Sequence, residues 1–217
     1  MIELVSPYDS FRLGAHYEAS HKPRIGGVVV IQEIFGITDH IRTMCSRFAA
    51  EGFEAIAPSV YDRVERGFHA EASNAGIMKG LAAVEATPWD QVAADVQSAI
   101  NALEGPVFLT GFCYGGAATW LGACRCSGLS AASAFYGRHI NALLNDSPKV
   151  PIILHYGRRD KSIPMDMVEE VQATHTEIPI YLYDTGHGFC RESSSDFHKY
   201  SCDLAFNRTV HFFKKHV

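Results

Sequence analysis

The chain predicts an α/β architecture: a mainly parallel sheet with helices on both faces. Three observations carry this expectation. Continuous β-branched or apolar runs recur, such as "GGVVVIQ" (26–32), and strands that are apolar without alternation are those buried on both faces. Segments with helical periodicity fall between them, and that alternation builds a parallel sheet. The 217 residues, 47% hydrophobic and 20% charged, fit a soluble globular chain able to bury a large core. The whole of 1–217 is read as one domain.

The elements follow in order. The start, through "FRLGAHYEAS" (11–20), reads as a short peripheral hairpin. After the strand at 26–32, Ile41, Cys45 and Phe48 share a helical face, and Gly52 supplies a stop. "FEAIAP" (53–58) is a second strand. Residues 63–86 are polar and Gly-rich at first, which predicts a partly helical excursion over the carboxyl ends of the strands. In "TPWDQVAADVQSAINALEG", Thr87 caps, Pro88 opens the first turn, and Val92, Val96, Ile100 and Leu103 make one stripe. A strand at 106–111 and a helix at 114–126 come next. "SAFYG" (133–137), "VPIILHYG" (150–157) and "IPIYLY" (178–183) are further strands, the last two separated by a helix near 164–175. A final helix begins near Asp196, with Cys202, Phe206, Val210 and Phe213 in register and Lys214, Lys215 and His216 at its cation-favouring end. Active groups in such a sheet gather at the carboxyl ends of the strands.

Composition narrows the function. A formal charge of -5 argues against a sequence-independent nucleic-acid binder, which needs a basic face. No basic, apolar leader opens the sequence, and no run approaches the roughly 20 apolar residues of a membrane helix. The six cysteines, at 45, 113, 124, 126, 190 and 202, contain no C-x-x-C pair. They are expected to be reduced, in a cytoplasmic protein with neither disulfide framework nor zinc site. Oligomeric state is left open.

The chemistry centres on "LTGFCYGGAATW", Leu109 to Trp120. Cys113 sits between an apolar strand and a helix-forming run, flanked by Gly111, Gly115 and Gly116. This is the strand–turn–helix setting of a nucleophile elbow, with Cys in place of Ser. The small neighbours admit a sharp turn, and the amides of the following helix favour negative charge at the sulfur. A thiol nucleophile needs a base, and the base an orienting acid. Asp160 in "GRRD" and His187 in "TGHGF" each follow a strand on the same face, in the order nucleophile, acid, histidine. Glu33 ends the first long strand, where it abuts the thiol. The amides of Ile34 and Tyr114 then make an oxyanion hole.

These residues carry a resemblance. "QEIFG", "YDRVERGF", "GFCYGG", "FYG", "GRRD" and "TGHGF.R", spread in order over about 25–215, resemble the dienelactone hydrolase (carboxymethylenebutenolidase) family. The resemblance implies an α/β-hydrolase fold and a Cys-His-Asp triad at Cys113, His187 and Asp160. It also implies a glutamate at Glu33 that contacts the nucleophile and takes part in its activation. A nearby carboxylate disfavours a thiolate, so Glu33 holds Cys113 neutral until substrate arrives. The family's preferred substrates are enol lactones carrying a carboxylate held by arginines, a task suited to the guanidinium fork. Arg191 matches one such position. For a second cation Arg63, Arg66, Lys79 and Arg138 stay open. Tyr136 is a candidate pocket wall or core residue.

The expected function is therefore hydrolysis of a small ester or lactone, the anionic kind implied by the resemblance, through an acyl-thioester on Cys113 and with no metal or organic cofactor. Two other readings stand beside it. One is a redox-responsive thiol protein, in which Cys190 approaches Cys113; the other is a non-catalytic module that binds a small acid.

Overall fold

A computed structural model describes residues 2–217. Eight strands form one sheet in the order β1-β2-β4-β3-β5-β6-β7-β8. They are β1 (Ile2–Val5), β2 (Arg12–Glu18), β3 (Gly26–Ile31), β4 (Phe53–Pro58), β5 (Val107–Phe112), β6 (Leu129–Phe135), β7 (Ile152–Gly157) and β8 (Ile180–Tyr183). The N-terminal hairpin pairs antiparallel and joins β4 antiparallel. From β4 to β8 every pairing is parallel. The predicted peripheral hairpin is thus an edge of the sheet itself. All residues of β3, β5 and β7 are buried, as unbroken apolar runs require when helices cover both faces.

Among the described residues five α-helices lie between strands and a sixth follows the last one: α1 (Asp39–Ala50), α2 (Asn74–Glu85), α3 (Trp89–Asn101), α4 (Tyr114–Arg125), α5 (Met165–Thr174) and α6 (Lys199–Lys214). Gly52 after α1 takes φ 99°, a conformation glycine adopts without a Cβ penalty. Phe48 of α1, Phe53 of β4, Phe108 of β5 and Phe213 of α6 pack ring against ring, with centroids 4.7–6.3 Å apart. Full burial of each such side chain contributes about 1.5–3 kcal/mol, so this cluster clamps α1 and the C-terminal helix α6 onto the sheet.

Several predicted boundaries move. Thr87 does not cap α3. Its hydroxyl donates to the carbonyl of Ala83 at 2.8 Å, closing α2, and Pro88 with extended backbone is the capping residue. The expected final helix starts at Lys199, where His198 accepts from the Ser201 amide. Asp196 is instead packed against the backbone of Gly186, where any Cβ would lie 2.4 Å from the carboxylate. The excursion at 63–86 contains the full three turns of α2 behind an N-cap from Ser73. Among the described residues no helix is long and apolar enough to cross a membrane.

Candidate active site

Three strand ends converge. Cys113 follows β5 with φ 56° and ψ −114°, a region that costs a non-glycine residue about 1–3 kcal/mol. The turn is held from both sides. The Cys113 amide donates to the Phe135 carbonyl at 3.0 Å, and the Gly116 amide to the Cys113 carbonyl at 3.0 Å. A Cβ on Gly111 would sit 2.2 Å from the Gly115 carbonyl oxygen, and one on Gly115 would sit 2.4 Å from that of Ile31. The glycines therefore let helix α4 ride directly on the backbone ends of β5 and β3. This packing brings the amide of Tyr114, first residue of α4, beside the turn that carries Ile34. Amides in a first helical turn lack intrahelical acceptors, and that of Tyr114 is one of them. Gly80 of α2 completes the arrangement, since a Cβ there would meet the Ile34 carbonyl oxygen at 2.5 Å.

Asp160 comes from the turn after β7. Its Oδ1 accepts from the amides of Ser162 and Ile163 at 2.8 and 3.1 Å. Its Oδ2 meets His187 Nδ1 at 2.6 Å. His187, on the loop after β8, points Nε2 at Cys113 Sγ, 3.2 Å away. Burial pulls the imidazole downward. The facing charge of Cys113 and the bond and charge of Asp160 outweigh it and push the His187 pKa up to about 10. The residues predicted as nucleophile, base and orienting acid are thus within hydrogen-bonding reach in that sequence.

Glu33 departs from its expected contact. It is fully buried, and its Oε1 pairs with Arg191 Nη1 at 3.0 Å. Among the described residues no hydrogen bond joins it to Cys113, and its Oε2 is buried without a partner. The reason is topological. The loop after β8 folds back over the end of β3 and delivers Arg191 to the carboxylate, and the guanidinium also lies over the Phe35 ring, 4.9 Å from its centroid. Arg191 is therefore not a solvated surface residue. Tyr136 is wholly buried at φ 38°. Its ring meets His187 edge-on at 5.2 Å, and its hydroxyl is unpartnered.

The open candidates for a second cation separate clearly. Arg63 is committed to Asp95 and Asp9 at 2.7–3.0 Å. Arg66 bonds Asp62 and the Arg12 carbonyl, and Lys79 bonds Glu65 and the His69 carbonyl. These three serve the excursion segment. Arg138 is exposed, beyond β6, and has no ion-pair partner among the described residues. Sequence reading missed Tyr61, a buried tyrosine whose hydroxyl has no partner and whose pKa burial, chiefly, pushes well above the ordinary value. It also missed Trp89, which stacks on Tyr114 at 5.2 Å. Their signal was the cluster of aromatic residues in "YDRVERGF" and "TPWD", which periodicity alone assigns to core. Cys190, which the redox reading places near Cys113, is buried, and among the described residues no hydrogen bond joins the two. Among the described residues no three or more His, Cys, Asp or Glu side chains converge as metal ligands would.

A parallel sheet extended by an antiparallel hairpin, with a strained strand–turn–helix elbow at Cys113 and an acid and a histidine after later strands, defines an α/β-hydrolase fold. Comparison with known proteins narrows the class. Residues 13–217 match the model of the dienelactone hydrolase family. A protein of Escherichia coli (strain K12), provisionally named a carboxymethylenebutenolidase, is 36% identical over 87% of this chain and 76% of its own. Its provisional namesake in Synechocystis sp. (strain ATCC 27184 / PCC 6803 / Kazusa) is 32% identical over 81% of this chain and 76% of its own. The crystal structure of a protein provisionally named a dienelactone hydrolase, from Klebsiella pneumoniae subsp. pneumoniae MGH 78578, superposes with a TM-score of 0.85 at 29% identity. That alignment covers 98% of this chain and 97% of the other. The chain belongs to the dienelactone hydrolase family, and it is a hydrolase of esters or lactones.

Proposed function

We propose that this protein hydrolyses small anionic lactones or esters through a Cys113 acyl-thioester, with His187 as the proton carrier and Asp160 as its orienting acid. The observation that carries the reading is the continuous chain from Cys113 Sγ to His187 to Asp160, at 3.2 and 2.6 Å, on a strained elbow.

The chemistry follows from that chain. His187 Nε2 takes the thiol proton, and the thiolate attacks the carbonyl carbon while the carbonyl π pair moves to oxygen. The Ile34 and Tyr114 amides receive that oxyanion. As the tetrahedral intermediate collapses, the bond to the ester oxygen breaks and Nε2 returns its proton to the leaving oxygen. The charge on Cys113 helps hold His187 as a cation. Acylation consumes that charge, so the imidazolium becomes a better acid at the step that needs a proton donor. Water then attacks the thioester. His187 takes the water proton, the carbon–sulfur bond breaks, and acid product and thiolate are released. Asp160 keeps Nδ1 protonated and the ring in place throughout.

Arg191 and Glu33 shape substrate choice. A substrate carboxylate competes with Glu33 for the Arg191 guanidinium, and bidentate pairing favours it. The displaced Glu33 carboxylate is then available to the thiol. Tyr136 and Tyr61 close the walls. The deciding experiment is a turnover screen of lactones and aryl esters, charged and neutral, on wild type and Cys113→Ala, with mass spectrometry of protein quenched during turnover. A mass increase of one acyl group on the Cys113 peptide is expected. Turnover by Cys113→Ala within a few-fold of wild type refutes the assignment.

A further inference from the structure

The elbow has cations on both sides. Cys113 follows β5, and β5 lies between β3 and β6 in the sheet. Beyond β3, Arg191 is held by Glu33 at 3.0 Å. Beyond β6 and β7 stand Arg138 and Arg158, both exposed. Phe135 of β6 is in register with His155 of β7, and the Tyr136 amide continues the ladder to the His155 carbonyl at 2.8 Å. Each arginine lies three residues past its member of that pair, so the two begin side by side at the carboxyl ends. Glycines seat them close to the triad's own backbone. A Cβ on Gly137 would lie 2.8 Å from the Ala117 amide nitrogen in the first turn of α4. One on Gly157 would lie 2.8 Å from the Gly186 carbonyl oxygen, just before His187.

Neither arginine is neutralised. Among the described residues neither takes part in an ion pair or a side-chain hydrogen bond, whereas Arg159, next to Arg158, pairs with Asp184 at 3.1 Å. The acids that follow the neighbouring strands are therefore taken, Asp184 by Arg159 and Asp160 by His187. Cations set side by side repel, and an anionic ligand is what offsets that repulsion. The chain carries a net charge of -5, so it repels a multiply charged anion at long range, and a cationic rim beside the elbow reverses the field locally. Neighbouring strands lie about 4.8 Å apart, which puts the end of β3 about 10 Å from that of β6 and about 14 Å from that of β7. One carboxylate therefore cannot meet Arg191 and the arginine pair together, and the nucleophile lies between them.

We propose that Arg138 and Arg158 form a second anion subsite, and that the substrate is an extended dianion, an open-chain ester with one anionic group on each side of its scissile bond. One group meets Arg191, as in the proposed function. The other meets the pair beyond β6 and β7, and the ester carbonyl falls over Cys113. Guanidinium forks suit carboxylates, and an exposed rim adds charge without closing the entrance. Hydrolysis breaks the bond between acyl carbon and ester oxygen. Water supplies the hydroxyl to the acyl group and the proton to the leaving oxygen. The products are a diacid and an anionic alcohol, each held at one end only, so each leaves more easily than the substrate. The subsite's effect on turnover rests on the proposed function.

The test uses the ester of glutaric acid with glycolic acid, a dianion with a carboxylate on each side of the ester. Its two singly amidated relatives supply monoanions and its diamide a neutral ester, and a pH-stat follows acid release. In wild type, kcat/KM for the dianion should exceed that for the better monoanion about three- to tenfold at low salt, the yield of one or two exposed ion pairs. The excess should shrink to within about twofold at about 1 M salt, where screening is nearly complete. In the Arg138→Gln, Arg158→Gln double variant the excess should vanish through KM, at unchanged melting, and the loss should be confined to the charged esters. Arg138→Lys with Arg158→Lys keeps the charge and should restore most of it. Calorimetric binding to Cys113→Ala, which does not consume the ester, should rank the esters in the same order. Equal binding and turnover of dianion and monoanions overturn the subsite, as does an excess that survives in the glutamine variant. Turnover of the diamide by Cys113→Ala within a few-fold of wild type overturns the proposed function instead, so the two failures are told apart.

Discussion

Glu33 and Arg191 offer a test in which stability and catalysis respond differently. Glu33 is fully buried and the Arg191 side chain is 14% exposed, with 3.0 Å between the paired atoms. At an effective dielectric near 20, opposite charges at that separation attract by roughly 5–6 kcal/mol. Removing one partner of a buried pair typically costs about 3–5 kcal/mol, because the other charge is stranded. Arg191→Met strands the carboxylate and should therefore lower the melting temperature by about 6–20 °C in a chain of this size. Glu33→Gln keeps an oxygen that can accept from Nη1 and should cost less. The double variant strands no charge, so its stability should return to within about 1 kcal/mol of wild type. The assay is urea unfolding of the four proteins, read as a double-mutant cycle. Additivity within about 0.5 kcal/mol would refute the claim that the two groups act as one buried pair. Hydrolysis separates the roles further. Arg191→Met should raise KM for an anionic ester while leaving a neutral ester's KM near wild type, and the double variant should recover stability but not anionic selectivity.

Further outcomes follow from the same geometry. Cys113→Ala should abolish hydrolysis with little change in melting, since the strained backbone angle is kept, and Cys113→Ser should be a poor enzyme because a hydroxyl yields its proton far less readily. These are read from steady-state turnover and calorimetry. The raised His187 pKa, about 10, carries a definite sign. The folded protein binds this proton more tightly than the unfolded one, so the contribution is complete below about pH 6.5. It is lost as pH rises through the folded value. The stability gap between wild type and His187→Gln should therefore narrow between pH 6.5 and 10, and a gap that widens would contradict the assigned environment. Gly115→Ala places a methyl carbon 2.4 Å from the Ile31 carbonyl oxygen. It should cost about 1–3 kcal/mol by overpacking and reduce turnover by more than its melting shift explains, because the Ile34 and Tyr114 amides move apart.

How much of this was legible depended on whether the physics was local. Cys113 announced itself because an elbow needs glycines at fixed offsets, and Asp160 and His187 because strand ends bring their loops to one face. Glu33 was placed at the end of the first long strand, but its pairing with Arg191 was not foreseen. The loop carrying Arg191 returns across the sheet from 158 residues away, and no pattern in the chain encodes that return. Arg63 shows the reverse error. A cation in a polar excursion reads as a free ligand, yet it is bound to Asp95, which sits in a helical pattern with its own apolar stripe. Thr87 was misread because a threonine before a proline can close one helix or open the next, and only the distance to Ala83 decides.

Among the described residues, and outside the tight turn at Ser10, the non-glycine residues with positive φ are Cys113 and Tyr136. They end neighbouring strands, and the Cys113 amide is bonded to the carbonyl of Phe135, the residue before Tyr136. Backbone strain among the described residues is thus concentrated at the proposed reaction site. Glycine would relax either position, and at Cys113 the relief, less the extra freedom of an unfolded glycine, amounts to about 1 kcal/mol. Heat resistance and turnover therefore pull against each other at this spot. A library of variants sorted for survival at high temperature alone would accumulate changes at these two residues early, and its hardiest members would be idle. Sorting the same library for hydrolysis would return the strained pair and seek its stability elsewhere, in the phenylalanine cluster and the helix ends.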